Sequence, residues 1–575
     1  MARAIKLSAG LLLLACAAIA VMSFQASIGK IFTLDETHPV TRAHMMISDG
    51  LEGPRKALGD EAFTHPPLYE AVLVGVFRVF GEGEVSARSV GVVAYILVGV
   101  LLLGLLKIFS RDDASVPVRF SQFLFLCMYL TNPLVIQHSM LIDSETALIF
   151  PIATAFVVLF IAADRWTGRD YGMSRLGLGA LFALAFFAKE VTPFLLVAGV
   201  VIYRMIAGEW KKLWQDLLGI LVFGGVLIGI GFVAFSIFTG HSMEIFLAKQ
   251  YGFRTQRVLS VEFFERVFRN ISIILRWPIF WGTLPLHLLA LYGLSARLKS
   301  RFWDRKSTIE DYLWISILVL WVPYLLVKPS IDMMKFQHTA YPWIMVGVAL
   351  VVARSTPSWR WWSVLGMGIV AGWACFHYYK AGDYILSLAL PQKSKIWNDF
   401  LIYYTAPIIA GTFAAGILFF KARKAAVLLF LWLMTLAVGA ALDWRQKEAT
   451  YTTVESWLNY GEKGMRETVN YLKSKKLQGR MISARSDIDY YLRRREGIEL
   501  SSNIETSTLF SLKDPKDRIR LIQRGAFDYI VIDNVSRVYV RMNTPIGDLI
   551  QKNYRVEKQI GDFQILSPRR STGVR

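Results

Sequence analysis

The chain has 575 residues, 54% of them hydrophobic, with a mean hydropathy of +0.42, a net charge of +20 and a pI near 9.7. The apolar excess excludes an ordinary soluble enzyme, and repeated apolar runs of roughly 18 to 25 residues read as membrane-crossing helices. The basic residues cluster in short loops between those runs, which fits membrane topology and anionic lipid better than nucleic acid.

The first apolar run, residues 7–22, follows Arg3 and Lys6. Leu13-Leu14-Ala15-Cys16 weakly resembles a lipoprotein cleavage site, but the many later spans make a retained first helix the simpler reading. With the N-terminus inside, this helix delivers Asp35-Glu36 to the outer face. A polar stretch follows and ends in Phe63-Thr64-His65-Pro66-Pro67-Leu68-Tyr69. Residues 68–80 are too few to span comfortably and carry Arg78, so they predict an interfacial helix on the outer surface.

Spans are expected at 87–108, 120–136 and 147–163, then as a short helix pair broken at Ala188-Lys189-Glu190-Val191-Thr192-Pro193. Further spans follow at 217–238, 271–294, 312–327, 340–352, 361–378, 402–420 and 425–442. Alternate loops are basic: residues 107–119; Arg165, Arg169 and Arg175; Arg204, Lys211 and Lys212; Arg297, Lys299, Arg301, Arg305 and Lys306; Arg354 and Arg360; residues 421–424. About thirteen spans with these loops inside form a self-consistent topology, whereas counting 68–80 as a span puts the basic clusters outside.

From about Asp443 the pattern turns soluble. An amphipathic stretch at 454–475 precedes a short strand at 480–484. Helices are expected at 488–495, 515–524 and 545–553, a buried strand at 527–533, and a closing strand near 563–566. The fold class is therefore a polytopic α-helical membrane protein with a small C-terminal extracytoplasmic α/β domain. The division falls between residues 1–442 and 443–575. The three cysteines, Cys16, Cys127 and Cys375, lie in apolar segments and suggest neither a disulfide framework nor a thiolate metal site. The soluble part has no glycine-rich nucleotide motif.

On this topology five polar patches meet one membrane face: Asp35-Glu36, His65-Pro66-Pro67, Asp143-x-Glu145, Lys189-Glu190 and Lys335-x-x-His338. Each has a plain alternative. Asp35-Glu36 could cap a helix, and Asp143 with Glu145 could cap the span at 147–163. Lys189 could snorkel from a helix end, His65 could shape a turn before two prolines, and His338 could be a satisfied interfacial histidine. Convergence on one face favours a site. Carboxylates there could take a proton from an acceptor hydroxyl, and Lys or Arg could stabilise a departing phosphate. Glycosyl transfer from a lipid-linked donor needs that division of labour.

The sequence resembles the GT-C membrane glycosyltransferases related to protein O-mannosyltransferases and to the aminoarabinose transferases that modify lipid A. The residues that carry the resemblance are Asp35-Glu36, His65-Pro66-Pro67-Leu68-Tyr69, Gly81 with Ala87-Arg88, Asn132-Pro133 with Asp143, and Ala188-Lys189. Lys335-Phe336-Gln337-His338 with Tyr341-Pro342 resembles a later family motif. The likeness is clearest over residues 1–210.

The resemblance implies Asp35 as catalytic base, Glu36 as an orienting or acceptor-binding residue, and Asp143 as the second catalytic carboxylate. It implies substrate binding by His65, Glu145, Lys189, Arg254, Arg257, Lys335, His338 and Tyr341. Aminoarabinose-type relatives carry Lys where this chain has His65, a departure that bears on that exact substrate. The family has no uniform need for a metal cofactor, although Asp/Glu/His clusters could hold a divalent cation. The expected partners are a polyprenyl-phosphate-linked sugar donor, a protein or glycolipid or glycan acceptor, and the bilayer, with no nucleic acid. The expected location is the inner (plasma) membrane with an extracytoplasmic active site. The alternatives are a secondary transporter, which would place ionisable groups near the bilayer midplane, and a non-catalytic cell-envelope assembly protein.

Overall fold

The computed structural model describes residues 2–28, 34–54, 67–112, 117–189, 191–240, 284–304, 308–327, 338–355, 464–475, 481–483, 527–532, 544–561 and 563–569, together with Ile488 and Ile522. The chain divides into two units: residues 1–29 with 58–449, and residues 30–57 with 450–575.

The first unit is helical. Its elements are α1 (Ala2–Ile28), α3 (Leu68–Phe80), α4 (Glu84–Asp112), α5 (Val118–Thr131), α6 (Pro133–Ser139), α7 (Phe150–Ala163), α8 (Gly168–Ala188) and α9 (Thr192–Ala207). They continue with α10 (Trp210–Leu217), α11 (Phe223–Thr239), α12 (Leu284–Asp304), α13 (Ile309–Val327) and α14 (Ala340–Ser355). Among the described residues, four stretches are long and apolar enough to cross a membrane: Glu84–Arg111, Glu145–Ala163, Gly168–Ala188 and Trp210–Thr239. The expected spans at 361–378, 402–420 and 425–442 lie outside the described residues.

Local chemistry sets the breaks. The span expected at 120–136 is two helices, because Pro133 has no N–H and pushes the preceding residue out of helical geometry. Asn132 is accordingly extended (φ −81°, ψ 114°), and its side chain accepts the Val135 N–H at 3.1 Å, so one residue ends α5 and caps α6. Single π-helical turns at Glu145–Ile149 and Leu218–Val222 open the helices that continue as α7 and α11. Helix α12 runs on through Arg297, Lys299 and Arg301, which the sequence reading placed in a loop. The correction has a cause: Arg297 is held to the buried Glu310 at the start of α13, so the basic segment stays helical and pairs across the turn. Helix α3 has the bounds expected for it and buries Tyr69, Leu73, Val74 and Phe77 along one stripe.

The helices alternate in direction, and residues at their ends show which ends meet. At one end, the rings of Phe160 (α7), Tyr203 (α9) and Tyr312 (α13) pack edge-on or tilted, with centroids 4.2 to 6.1 Å apart. Beside them, buried Asp216 binds Arg204 through Oδ2 at 2.8 Å and Tyr171 through Oδ1 at 2.7 Å, and pairs with Arg175. Arg204 also reaches Asp164 at 2.6 Å. Glu310 receives Arg354 from the last turn of α14, at 2.6 and 3.1 Å, as well as Arg297. This is the Arg204 end. The opposite end holds the candidate site.

Close backbone approach fixes two of the helix pairs. A methyl group at Gly91 of α4 would lie 1.8 Å from the Ser139 carbonyl oxygen. One at Gly179 of α8 would lie 2.9 Å from the Gly219 carbonyl, and one at Gly224 would lie 2.7 Å from the Phe182 ring. Small residues let helices touch this way where lipid removes the hydrophobic driving force. Helices α4 and α5 are fastened differently. Tyr95 donates to the Tyr129 carbonyl at 3.0 Å and Tyr129 to the Tyr95 carbonyl at 2.7 Å, with the rings stacked 4.4 Å apart.

The second unit contains α2 (Leu34–Ser48), α15 (Met465–Ser474), β1 (Met481–Ser483), β2 (Tyr529–Ile532), α16 (Thr544–Asn553), β3 (Tyr554–Ile560) and β4 (Phe563–Pro568). The strands form one sheet in the order β1-β2-β4-β3. Strand β1 is parallel to β2, and the other pairs are antiparallel. Both faces are covered, as the period of two in β2 requires. Val531, Phe563 and Ile565 pack with Met465, Val469 and Leu472 of α15, while Ile530, Ile532 and Leu566 pack with Ile550 of α16 and with Tyr554. Strand β3 was not foreseen: its mostly exposed, charged run Arg555-Val556-Glu557-Lys558 hides the alternation and suits an edge strand. The expected helix at 515–524 and most of that at 488–495 lie outside the described residues.

Candidate active site

Asp143 sits in the bend between α6 and the π turn, where its carboxylate works as a cap. Its Oδ1 accepts the Glu145 N–H at 2.9 Å, and its carbonyl accepts the Ala147 N–H at 3.0 Å. The Thr146 hydroxyl donates to the Leu141 carbonyl at 2.9 Å and tightens the same bend. The Asp143 carboxylate thus makes the contact of the capping alternative, and the bend it closes fixes where the next carboxylate points.

That carboxylate is Glu145, which is buried. Lys189 Nζ lies 2.6 Å from its Oε1, with side-chain exposures of 13% for the lysine and 4% for the glutamate. Lys189 leaves α8 in extended conformation (φ −161°, ψ 112°), and Pro193 at the start of α9 forces the turn that follows. The two residues, far apart in sequence, meet because α8 returns to the end at which α7 begins. Neither Glu145 oxygen makes a hydrogen bond of good direction among the described residues, so charge and proximity hold the contact.

His338, just before α14, is fully buried against the Phe150 ring at 4.1 Å. Its Nε2 is 3.2 Å from both the Ser139 hydroxyl and the Val135 carbonyl. A carbonyl only accepts, so Nε2 carries a proton. Nδ1 is buried with no hydrogen-bond partner among the described residues. Tyr341, one turn on, is also buried, and its hydroxyl is 3.4 Å from His287 Nε2 on α12.

The structure thus brings Asp143, Glu145, Lys189, His338 and Tyr341 to one end of the first unit, opposite the Arg204 end. Arg88 is buried at the same end and donates to the carbonyl of Ile28, the last residue of α1, at 3.3 Å. Asp35 and Glu36 lie in the first turn of α2, in the other unit, and Glu36 is buried. His65, Glu190, Arg254, Arg257 and Lys335 lie outside the described residues. Among the described residues, no three His, Cys, Asp or Glu side chains gather as a metal site would require. Sequence reading missed Ser139 and His287, because one hydroxyl and one histidine inside apolar helices carry no periodic signal.

Comparison with known proteins bears on this arrangement. Residues 64–238 match the model of a family described as dolichyl-phosphate-mannose-protein mannosyltransferase. The match includes Asp143, Glu145 and Lys189. The whole chain superposes on the crystal structure of ArnT from Cupriavidus metallidurans bound to undecaprenyl phosphate. The TM-score is 0.60 at 14% identity, covering 98% of this chain and 99% of that one. The fold is GT-C. The apo structure of ArnT from the same organism matches equally, at TM-score 0.60 and 14% identity, over 97% of each chain. No curated protein matches the chain in sequence. The resemblance read from the motifs is borne out in the fold.

Proposed function

We propose that the chain is an integral membrane glycosyltransferase that moves a sugar from a polyprenyl-phosphate donor to an acceptor hydroxyl at the outer face of the membrane. The observation that carries the reading is the buried Lys189–Glu145 pair, on the family-matching stretch and at the end shared with Asp143, His338 and Tyr341. An ammonium at the end of an apolar helix bundle suits a phosphate whose negative charge grows as the sugar leaves. The ArnT structure holds undecaprenyl phosphate, which supports a lipid-phosphate donor here.

In this reading Asp35 takes the proton from the acceptor hydroxyl. The freed oxygen attacks the anomeric carbon, the bond from that carbon to the phosphate oxygen breaks, and the electron pair leaves with the phosphate. Lys189 stabilises the departing group, with Arg254, Arg257 and Lys335 as further phosphate-binding candidates. Glu36 orients the acceptor, and Asp143 holds the turn that presents Glu145. His65, His338 and Tyr341 shape the substrate cavity. The acceptor is a protein, lipid A or another glycolipid, or a cell-envelope glycan. The catalytic part is residues 1–442 with about thirteen spans in the inner membrane, and residues 443–575 form an extracytoplasmic α/β domain.

The test is Asp35→Asn in purified protein supplied with polyprenyl-phosphate sugar and acceptor. Transfer falls at least about a thousandfold with folding intact if Asp35 is the base. Retained transfer removes it from that role.

A further inference from the structure

We propose that Glu145 is a positioning residue that competes with phosphate for Lys189. It holds the ammonium while the site is empty and repels the spent carrier after transfer. The proposal rests on the reading of Lys189 as a phosphate ligand.

Three of the four buried acids among the described residues of the first unit, Glu145, Asp216 and Glu310, can be compared. Glu310 is matched by two guanidinium groups and the Trp314 indole, and Asp216 by Arg204, Arg175 and the Tyr171 hydroxyl. Both lie at the Arg204 end, and each has excess positive charge or spare donors around it. Glu145 differs. It faces one ammonium, and its Oε2 is buried without a hydrogen-bond partner among the described residues. A purely structural buried carboxylate would be expected to be fully satisfied, because an unmet charge is costly in a low-dielectric interior.

The cation is also of the exchangeable kind. An arginine would lock a carboxylate through a planar fork, whereas a lysine offers a point charge with rotatable donors on a flexible stem. Lys189 projects from an extended residue after α8, so its side chain can turn without disturbing the helix.

Charge then decides what the pair does. A polyprenyl-phosphate sugar is a phosphodiester with one negative charge. The departing polyprenyl phosphate is a monoester that approaches two, since such a group has a second pKa near about 6. Glu145 beside Lys189 therefore opposes the product more than the donor, and re-forming the pair helps expel it. The pair trades affinity for turnover.

The test uses the full-length protein in detergent, titrated with undecaprenyl phosphate as the probe. Wild type is compared with Glu145→Gln, Glu145→Asp and Lys189→Gln, each titrated at a temperature at which its own unfolding profile shows it fully folded. Glu145→Gln is expected to bind the phosphate about tenfold or more tightly, Glu145→Asp to stay within about threefold of wild type, and Lys189→Gln to bind more weakly. With donor and acceptor present, Glu145→Gln should show a burst followed by slow turnover that added undecaprenyl phosphate inhibits. Weaker binding by Lys189→Gln with unchanged or weaker binding by Glu145→Gln overturns the competition and leaves the phosphate role standing. No change in either variant overturns both. Should Glu145→Gln prove unstable, the double variant with Lys189→Gln removes the cation as well. Affinity in the double variant equal to or above that of Lys189→Gln then upholds the competition, and a further loss overturns it.

Discussion

Lys189 Nζ meets Glu145 Oε1 at 2.6 Å where the turn from α8 to α9 passes the π turn that opens α7, and both side chains are largely shielded from solvent. Removing one partner of such a pair strands the other. Lys189→Ala is therefore expected to destabilise the protein by about 3 to 5 kcal/mol and to abolish transfer. Adding Glu145→Gln should restore most of the stability and none of the activity. Thermal unfolding with a transfer assay on the same samples separates the two effects.

Asp143 offers a cleaner separation of capping from chemistry. Asp143→Asn keeps an oxygen for the Glu145 N–H, so stability should stay within about 0.5 kcal/mol, whereas Asp143→Ala loses about 1 kcal/mol. If the asparagine variant transfers sugar at the wild-type rate, the carboxylate has no chemical role, and its position in the turn is its contribution. Initial rates for both variants decide the matter.

Gly91 has no room for a side chain, and Gly104, on the same helix, has nothing within 4 Å. Gly91→Ala drives a methyl group into the Ser139 carbonyl and pushes α6 off α4, displacing the hydroxyl that meets His338. Loss of folded protein or of transfer is expected. Gly104→Ala should be neutral or raise stability by about 0.5 to 1 kcal/mol, because glycine costs more entropy in a helix. Yield after extraction and unfolding temperature compare the two directly.

The Arg204 end should matter for stability and not for chemistry. Asp216→Asn weakens a buried network that joins α8, α9 and α10. The unfolding temperature should fall, while transfer per folded molecule stays near wild type. A large drop in turnover at unchanged donor KM would show that the two ends are coupled.

In the second unit, Glu557 accepts from Tyr471 at 2.7 Å and pairs with Lys475 at 2.8 Å, joining α15 to β3. The hydrogen bond from Lys475 holds Glu557 below the ordinary carboxylate range, and the bond to Glu557 raises Lys475 above the ordinary lysine range. A lowered carboxylate stabilises at pH above its unfolded pKa, and the gain is lost as pH falls through the folded one. A raised lysine stabilises below its unfolded pKa, and the gain is lost as pH rises through the folded one. The contribution is thus complete between about pH 4.5 and 10.5 and fades on either side. Lys475 is exposed and Glu557 is half-buried, so the effect is small and screened by salt. Glu557→Gln should flatten the pH dependence of unfolding at the acid edge.

Helix positions were legible because membrane spans write themselves as long apolar runs, and α3 was legible because thirteen residues with an arginine cannot cross. The break at Asn132-Pro133 was written in the chain and passed over, since the apolar run continues through it. The π turns left no trace, because an extra residue in one turn changes no composition. Lys189 was found from the Ala-Lys-Glu-Val-Thr-Pro break and Glu145 from the Asp143-x-Glu145 patch, but their pairing was not. Pairing Lys189 with Glu145 requires knowing that α8 returns beside the start of α7, and that information is long-range. The extension of α12 was missed for a related reason: a basic run marks a membrane edge whether or not its backbone stays helical.

The glycine seam between α8 and α11 has a practical corollary. Where Gly179, Gly219 and Gly224 bring two main chains together, cohesion comes from atomic contact and not from exclusion of water. Exchanging bilayer for micelle leaves that kind of cohesion untouched. The outward row Val226, Ile230, Val233 and Ile237 meets whatever amphiphile surrounds it and asks for no particular one. During purification this helix pair should be the last part of the bundle to come apart, and the choice of solubilising agent will be felt elsewhere first.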